Sequence, residues 1–141
     1  MRTKTYNCPV EAAIDVVGGK WKAVILWWLQ QRTWRFAELR RKIPGITEKM
    51  LAHQLRELEA DGVVARVVYA TVPPKVEYSL TEYGQSLKRA LRAICDWGRN
   101  HMERNGLAMT SPAERASPSR DRSLSREPLA SSKARSVGAG R

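Results

Sequence analysis

The chain has 141 residues, a formal net charge of +11 and a sequence pI near 10.3. This length suits one domain of about 100 residues with an extension and excludes two full domains. The charge favours an anionic partner, either nucleic acid or a membrane surface. Residues 1–105 carry 18 Lys/Arg against 11 Asp/Glu, and residues 106–141 carry 7 against 3, so both parts are basic.

The sequence argues against a membrane-spanning protein, a signal peptide and a disulfide scaffold. The longest apolar run, Ala23 to Leu29, has seven residues, whereas a membrane helix needs about 20. No small-residue cleavage site follows it, which argues against a signal peptide. Two cysteines, Cys8 and Cys95, are too few for a disulfide scaffold. We therefore expect a cytoplasmic protein that does not enter a membrane.

The first third of the chain predicts three helices. Pro9 suits the first turn of a helix that ends at Gly18-Gly19. The segment from Lys20 to Gln31 is apolar on nearly every side, which is typical of a central helix covered by its neighbours. Residues 33–35 form a short extended piece, and a third helix runs from Phe36 to Lys42.

The next segment predicts a helix with two different faces, followed by a hairpin. Thr47 caps a helix that ends at Asp61-Gly62, and its leucines form one inward stripe. The strands 63–70 and 75–80 flank a loop with two prolines, which cannot donate to a ladder. Thr81 caps a last helix that reaches about Arg104.

The composition changes after Gly106. Residues 107–141 contain eight Ser, three Pro and no aromatic residue, so this segment cannot bury enough apolar surface to fold. We predict an N-terminal arm (1–7), a folded domain (8–105) and a disordered basic tail (106–141). The tail either adds non-specific affinity for phosphates or acts as a solubilising extension, which is the simpler interpretation.

Residues 36–60 thus form helix, turn, helix, with a wing after them. This order predicts a mainly α domain with a small β-hairpin wing, a winged helix-turn-helix, whose second helix enters the major groove of DNA. Lys49, His53 and Arg56 lie on the outward face of that helix. An ordinary solvated helix face is the alternative interpretation.

These side chains suit double-stranded DNA. Arg56 can form two hydrogen bonds with a guanine edge, Lys49 can reach a phosphate or a guanine, and His53 can donate to either. Thr47 caps its helix and is a weaker candidate for a phosphate contact. The full set of DNA-binding candidates comprises Thr47, Lys49, His53, Arg56, Lys75, Arg66 and Arg35.

Three motifs together resemble the HxlR-type winged helix-turn-helix transcriptional regulators of bacteria. They are CPVEAAIDVVGGKWK (8–22), TEKMLAHQLRELEADGVVA (47–65) and VPPKVEYSLTEYG (72–84). The resemblance implies a homodimer that binds pseudo-palindromic operator DNA and regulates transcription. In some members of the family, a cysteine at the position of Cys8 senses oxidants or electrophiles.

The predicted last helix carries an apolar stripe longer than a small winged core can absorb. We expect a two-fold dimer built from the first and last helices, because reading two half-sites requires one. Packing of the last helix against the first within one chain is the alternative. The interface candidates are Val10, Ile14, Leu87, Leu91, Ile94 and Trp97.

Cys8 precedes Pro9 at the start of the first helix, where the helix dipole favours a thiolate. It is either a redox or electrophile sensor, with a small oxidant or electrophile as effector, or an inert buried cysteine. Cys95 is expected to fill apolar space in the last helix.

An enzyme is not expected. The chain has no Gly-rich phosphate loop, nucleophile elbow or carboxylate cluster, and its Cys and His lack zinc-ligand spacing. We therefore predict no catalytic residue, no metal and no cofactor. A sequence-blind nucleic-acid binder, or a winged helix that binds protein, remains the alternative function.

Overall fold

The computed structural model describes residues 3–110, so the predicted basic tail lies outside the described residues beyond its first five positions. None of the helices between residues 3 and 110 is long and apolar enough to cross a membrane. The elements in chain order are α1 (Pro9–Val17), α2 (Lys22–Leu29), β1 (Trp34–Arg35), α3 (Phe36–Lys42), α4 (Glu48–Ala60), β2 (Val64–Tyr69), β3 (Lys75–Leu80), α5 (Glu82–Gln85) and α6 (Lys88–Arg104).

Residues at the ends of α1 and α4 fix where these helices begin and end, at the predicted places. Pro9 lies in the first turn of α1. The Thr47 hydroxyl accepts a hydrogen bond from the Met50 amide at 3.1 Å and so caps α4. Gly62 follows α4 with a φ of 76°, a conformation that a side chain disfavours. These ends confirm the predicted start and stop of α4.

The predicted last helix is divided in two. Thr81 caps α5 as expected, since its hydroxyl accepts from the Gly84 amide at 2.9 Å, but α5 ends at Gln85. The Leu87 amide then bonds to the carbonyl of Gly84, one residue short of the α-helical spacing. This tight turn lets α5 stay against the sheet while α6 packs against α2.

The sheet has three antiparallel strands in the order β1-β3-β2. Strands β2 and β3 form the predicted wing, with Val64 opposite Leu80 and Tyr69 opposite Lys75. Sequence reasoning recognised residues 33–35 as extended but did not predict their pairing with β3, where Trp34 faces Tyr78. The pairing of β1 with β3 attaches the β2–β3 hairpin to the helical part of the domain.

The core lies between α2, α3, α4 and the sheet. It consists of fifteen buried apolar residues in the described chain: Ile25, Leu26, Leu29, Trp34, Leu39, Ile43, Ile46, Leu51, Leu55, Leu58, Val63, Val64, Tyr78, Leu80 and Leu91. The three leucines of α4 are among them, which confirms the predicted inward stripe. Their burial turns the opposite face of α4 to the solvent.

Candidate nucleic-acid interface

The outward face of α4 carries exposed cationic groups. Lys49, His53 and Arg56 are all exposed, as the sequence predicts. Within residues 3–110, neither Lys49 nor Arg56 takes part in an ion pair. Their charges are therefore available for phosphates or base edges.

Two ion pairs fix α4 against the rest of the domain. Arg40 of α3 lies 3.1 Å from Glu48 in the first turn of α4. Lys22 of α2 lies 2.5 Å from Glu57 near the other end, and its side chain is only 12% exposed. The first pair joins the two helices of the helix-turn-helix, and the second joins α4 to the central helix.

Glu57 also contacts His53, one turn earlier on α4. The His53 Nε2 atom lies 2.9 Å from one carboxylate oxygen of Glu57, while Lys22 lies against the other. The Lys22 ammonium, with a smaller effect from His53, holds the pKa of Glu57 below its ordinary value. Sequence reasoning missed Glu57, because its role depends on a lysine from a distant helix.

On the wing, the candidate residue Lys75 is paired with neighbouring groups of the wing itself. Lys75 lies 2.8 Å from Glu77 and its ammonium lies 4.9 Å from the centre of the Tyr69 ring. The Lys75 ammonium lowers the pKa of Glu77 through this contact. Residues 67–74 contain no charged side chain, and Val72 at the tip is fully exposed. Arg66 is exposed on β2.

A cleft separates the wing tip from the start of α3. Its lining residues are Arg35, Phe36, Ala37, Thr71, Val72, Pro73, Pro74, Lys75 and Val76. The structure thus brings Arg35 and Lys75, two of the predicted candidates, to the same cleft. Thr47, by contrast, lies at the start of α4, where its hydroxyl accepts the Met50 amide.

An aromatic and cationic cluster surrounds β1. The Trp34 indole donates to the carbonyl of Trp28 at 2.7 Å, which fixes β1 against α2. The Arg32 guanidinium lies 3.4 Å above the Trp34 ring and 2.9 Å from Glu38. The hydrogen bond from Arg32 lowers the pKa of Glu38. Sequence reasoning did not identify Arg32, since nothing local indicates this stacking.

Cys8 is exposed at the start of α1, so the buried alternative for this residue is wrong. It lines a cleft of about 500 Å³ formed by the arm and α1. There the Tyr6 hydroxyl donates to Asp15 at 2.7 Å and Lys4 lies 3.2 Å from the same carboxylate. These two partners lower the pKa of Asp15. Cys95 is half-buried, and both thiols are free.

The predicted dimer residues divide into two groups. Leu91 is 4% exposed and belongs to the core of its own subunit, and Leu87 packs partly against that core. The placement of Leu87 and Leu91 therefore favours packing within one chain, the alternative given above, for this part of α6. The helix that α6 packs against is α2 rather than the first helix. The exposed members are Val10, Ile14, Ile94 and Trp97.

Comparisons with known proteins agree with this architecture. Residues 16–106 match the family model for the HxlR-like helix-turn-helix. YtcD, an HTH-type transcriptional regulator of Bacillus subtilis (strain 168), is 58% identical over 104 residues, which are 74% of this chain and 82% of that protein. The redox regulator HypR in its oxidized form is 53% identical, with a TM-score of 0.64 over 66% of this chain and 96% of that one.

A third relative is more distant but has the same fold. The reduced form of the transcriptional regulator YodB from B. subtilis is 38% identical, with a TM-score of 0.58 over 65% of this chain and 91% of that one. The extent of the family match and the identity to YtcD both lie far above what a shared fold alone produces. The chain therefore belongs to the HxlR-like helix-turn-helix family and is a DNA-binding transcriptional regulator.

Proposed function

We propose that the protein binds a pseudo-palindromic operator as a homodimer, with α4 of each subunit in the major groove. One observation carries this proposal: α4 buries its leucines in the core and presents Lys49 and Arg56 to solvent without an ion pair in residues 3–110. An exposed, uncompensated cationic face on a rigid helix suits the major groove, which is wide enough to admit an α-helix.

In this proposal the candidate DNA-binding residues make different contacts with the DNA. Arg56 forms two hydrogen bonds with a guanine, and Lys49 reaches a phosphate or a guanine near the start of α4. Arg35 and Lys75 approach the DNA backbone from the cleft beside the wing, and Arg66 adds a phosphate contact from β2. Thr47 orients the first turn of α4 through its cap.

The test uses Arg56→Ala with Arg92→Ala as its control, because Arg92 is exposed on α6, away from α4. A DNA-binding site is first selected from a random library, and binding is then measured by gel-shift titration. We expect Arg56→Ala to weaken operator binding by about 1–3 kcal/mol and to relax the choice of base at one position. Unchanged affinity together with unchanged selectivity would refute the role of α4.

The same titration separates a regulator from a sequence-blind binder. A specific regulator binds its operator typically 10³- to 10⁷-fold more tightly than unrelated DNA at physiological salt. A ratio near one would support the alternative of a non-specific binder. The placement of the cationic side chains on one face of a helix favours the specific function, since an α-helix is an element that the major groove admits and base edges are distinguishable there.

The exposed apolar groups of α1 and α6 support the dimer. Val10 and Ile14 on α1, together with Ile94 and Trp97 on α6, leave large apolar side chains in water. Ile94 also lines a nearly apolar cleft of about 260 Å³ between α2 and α6. A second copy of the chain would remove this surface from water, at roughly 25 cal/mol per Å² of apolar area.

We also propose that Cys8 responds to electrophiles or oxidants. Its thiol is exposed, and the chain is 53% identical to a protein described as a redox regulator. In the electrophile case, the Cys8 thiolate adds to a ring carbon of a quinone. A C–S bond forms, the ring C=C π bond breaks, and its electron pair passes to a quinone oxygen, which takes up the proton lost by the thiol. The hydrogen on the attacked carbon then moves to the second oxygen, which leaves a hydroquinone thioether. Modification beside α1 would alter the packing of the proposed dimer and thereby its affinity for DNA.

A further inference from the structure

The contacts of His53 determine which of its ring nitrogens carries the proton. Nε2 lies 2.9 Å from an oxygen of Glu57, and an ionised carboxylate can only accept hydrogen bonds. Nε2 therefore carries the proton. In the neutral ring the other nitrogen, Nδ1, is then a hydrogen-bond acceptor. The His53 side chain is 57% exposed, so the ring is accessible to a partner on the outer face of α4.

We infer that Glu57, held by Lys22, sets the tautomer of His53 so that α4 presents an acceptor to DNA and selects bases with an amino group. Adenine offers its N6 amine and cytosine its N4 amine in the major groove, whereas guanine and thymine offer oxygens there. His53 thus distinguishes A or C from G or T on the contacted strand. This proposal differs from the sequence-based expectation that His53 donates to a phosphate or a guanine.

The position of Glu57 is fixed by a neighbouring helix. Lys22 lies 2.5 Å from one carboxylate oxygen and His53 faces the other, so each oxygen has its own partner. The low exposure of the Lys22 side chain restricts its movement. Since the Lys22 ammonium keeps the pKa of Glu57 below its ordinary value, the carboxylate stays ionised from pH 5.5 to 8.

Other charged groups near this site are few. On α4, Lys49 and Arg56 lie one turn before and one turn after His53. On α2 the facing charge is Lys22, and Asp15 of α1 interacts with Lys22 in turn.

The arrangement predicts an unusual effect of Glu57→Gln. Lys22 is only a donor, so it would hold the amide oxygen and turn the amide NH₂ towards His53. The NH₂ would donate to Nε2, the ring proton would move to Nδ1, and Nδ1 would become a donor. A substitution of the same shape would therefore invert the base preference, which a merely structural role of Glu57 would not do.

The experiment is selection from a random DNA library at pH 8, with the full-length protein and three variants. We expect one position in each half-site to prefer A or C in the natural protein by roughly 3- to 10-fold, and G or T in Glu57→Gln. His53→Ala should lose the preference at that position. The control Glu59→Gln removes the same charge from an exposed residue of α4 without an ion pair in residues 3–110, and should match the natural protein.

A second arm needs no variant and therefore does not depend on the folding of Glu57→Gln. In the natural protein at pH 8, the ¹⁵N chemical shifts of the His53 ring should show the ring proton on Nε2, and a ring whose proton is on Nδ1 would overturn the inference. The inference rests on the proposed operator binding. A selected motif whose preference survives in Glu57→Gln would overturn the inference alone. Failure to enrich any sequence would overturn both.

Discussion

Gly84 is the position where one added methyl group should damage the fold most directly. It is buried in α5, and a Cβ at this position would lie 3.0 Å from the carbonyl carbon of Val63 and closer still to its oxygen. Ordinary contacts are 3.4–4 Å. The same carbonyl accepts a hydrogen bond from the Thr81 amide at 3.1 Å. Gly84→Ala must therefore separate α5 from the start of β2 or break this bond.

The cost follows from these two contacts. Overpacking costs about 1–3 kcal/mol, and leaving the carbonyl of buried Val63 without a partner costs about 1–3 kcal/mol more. We expect the free energy of unfolding to fall by roughly 2–6 kcal/mol in total. In a domain of about 100 residues each kcal/mol lowers Tm by about 4–8 °C, so Tm should fall by about 10 °C or more.

Gly98 provides the matched control for this prediction. It lies inside α6, and a Cβ there would meet no atom within 4 Å. Gly98→Ala should stabilise the protein by about 0.5–1 kcal/mol, because alanine loses less backbone entropy in a helix. Thermal and urea unfolding at a fixed protein concentration measure both variants. Equal stabilities of the Gly84→Ala variant and the natural protein would refute the contact between α5 and β2.

The remaining predictions concern function. Lys75→Ala should weaken binding to all DNA sequences and reduce the slope of log affinity against log salt by about one; an unaltered slope contradicts a phosphate contact from the wing. Ile94→Glu should give a monomer in sedimentation at micromolar concentration, while Val68→Glu, of similar exposure (53% against 55%), should not. A monomeric natural protein would refute the dimer. DNA binding should respond to diamide or a quinone and lose that response in Cys8→Ser; equal sensitivity of this variant would exclude the sensor role.

Most of the order of the elements, and the exposed cationic face of α4, could be predicted from local patterns. The leucine stripe of α4 needs only the period of a helix to show which side is buried, and Lys49 and Arg56 follow as the opposite side. Thr47 and Gly62 mark the ends of α4 through backbone chemistry within a few residues. Such signals do not depend on the rest of the fold.

The division between α5 and α6 could not be predicted in this way. The apolar spacing continues through residues 83–97, so the sequence favours one helix. The break occurs because Gly84 approaches Val63, just before β2, while Leu91 has to reach the core beside α2. Two packing contacts in different directions outweigh the local preference for a continuous helix.

The cationic face of α4 opposite its buried leucines was thus determined by the sequence alone. Only the tertiary structure decided which apolar candidates stay exposed, Ile94 and Trp97 among them, and that Glu57 lies between Lys22 and His53. The physical reason is distance along the chain. A helix period relates residues a few positions apart, whereas an ion pair between α2 and α4 exists only after both helices pack on the same core.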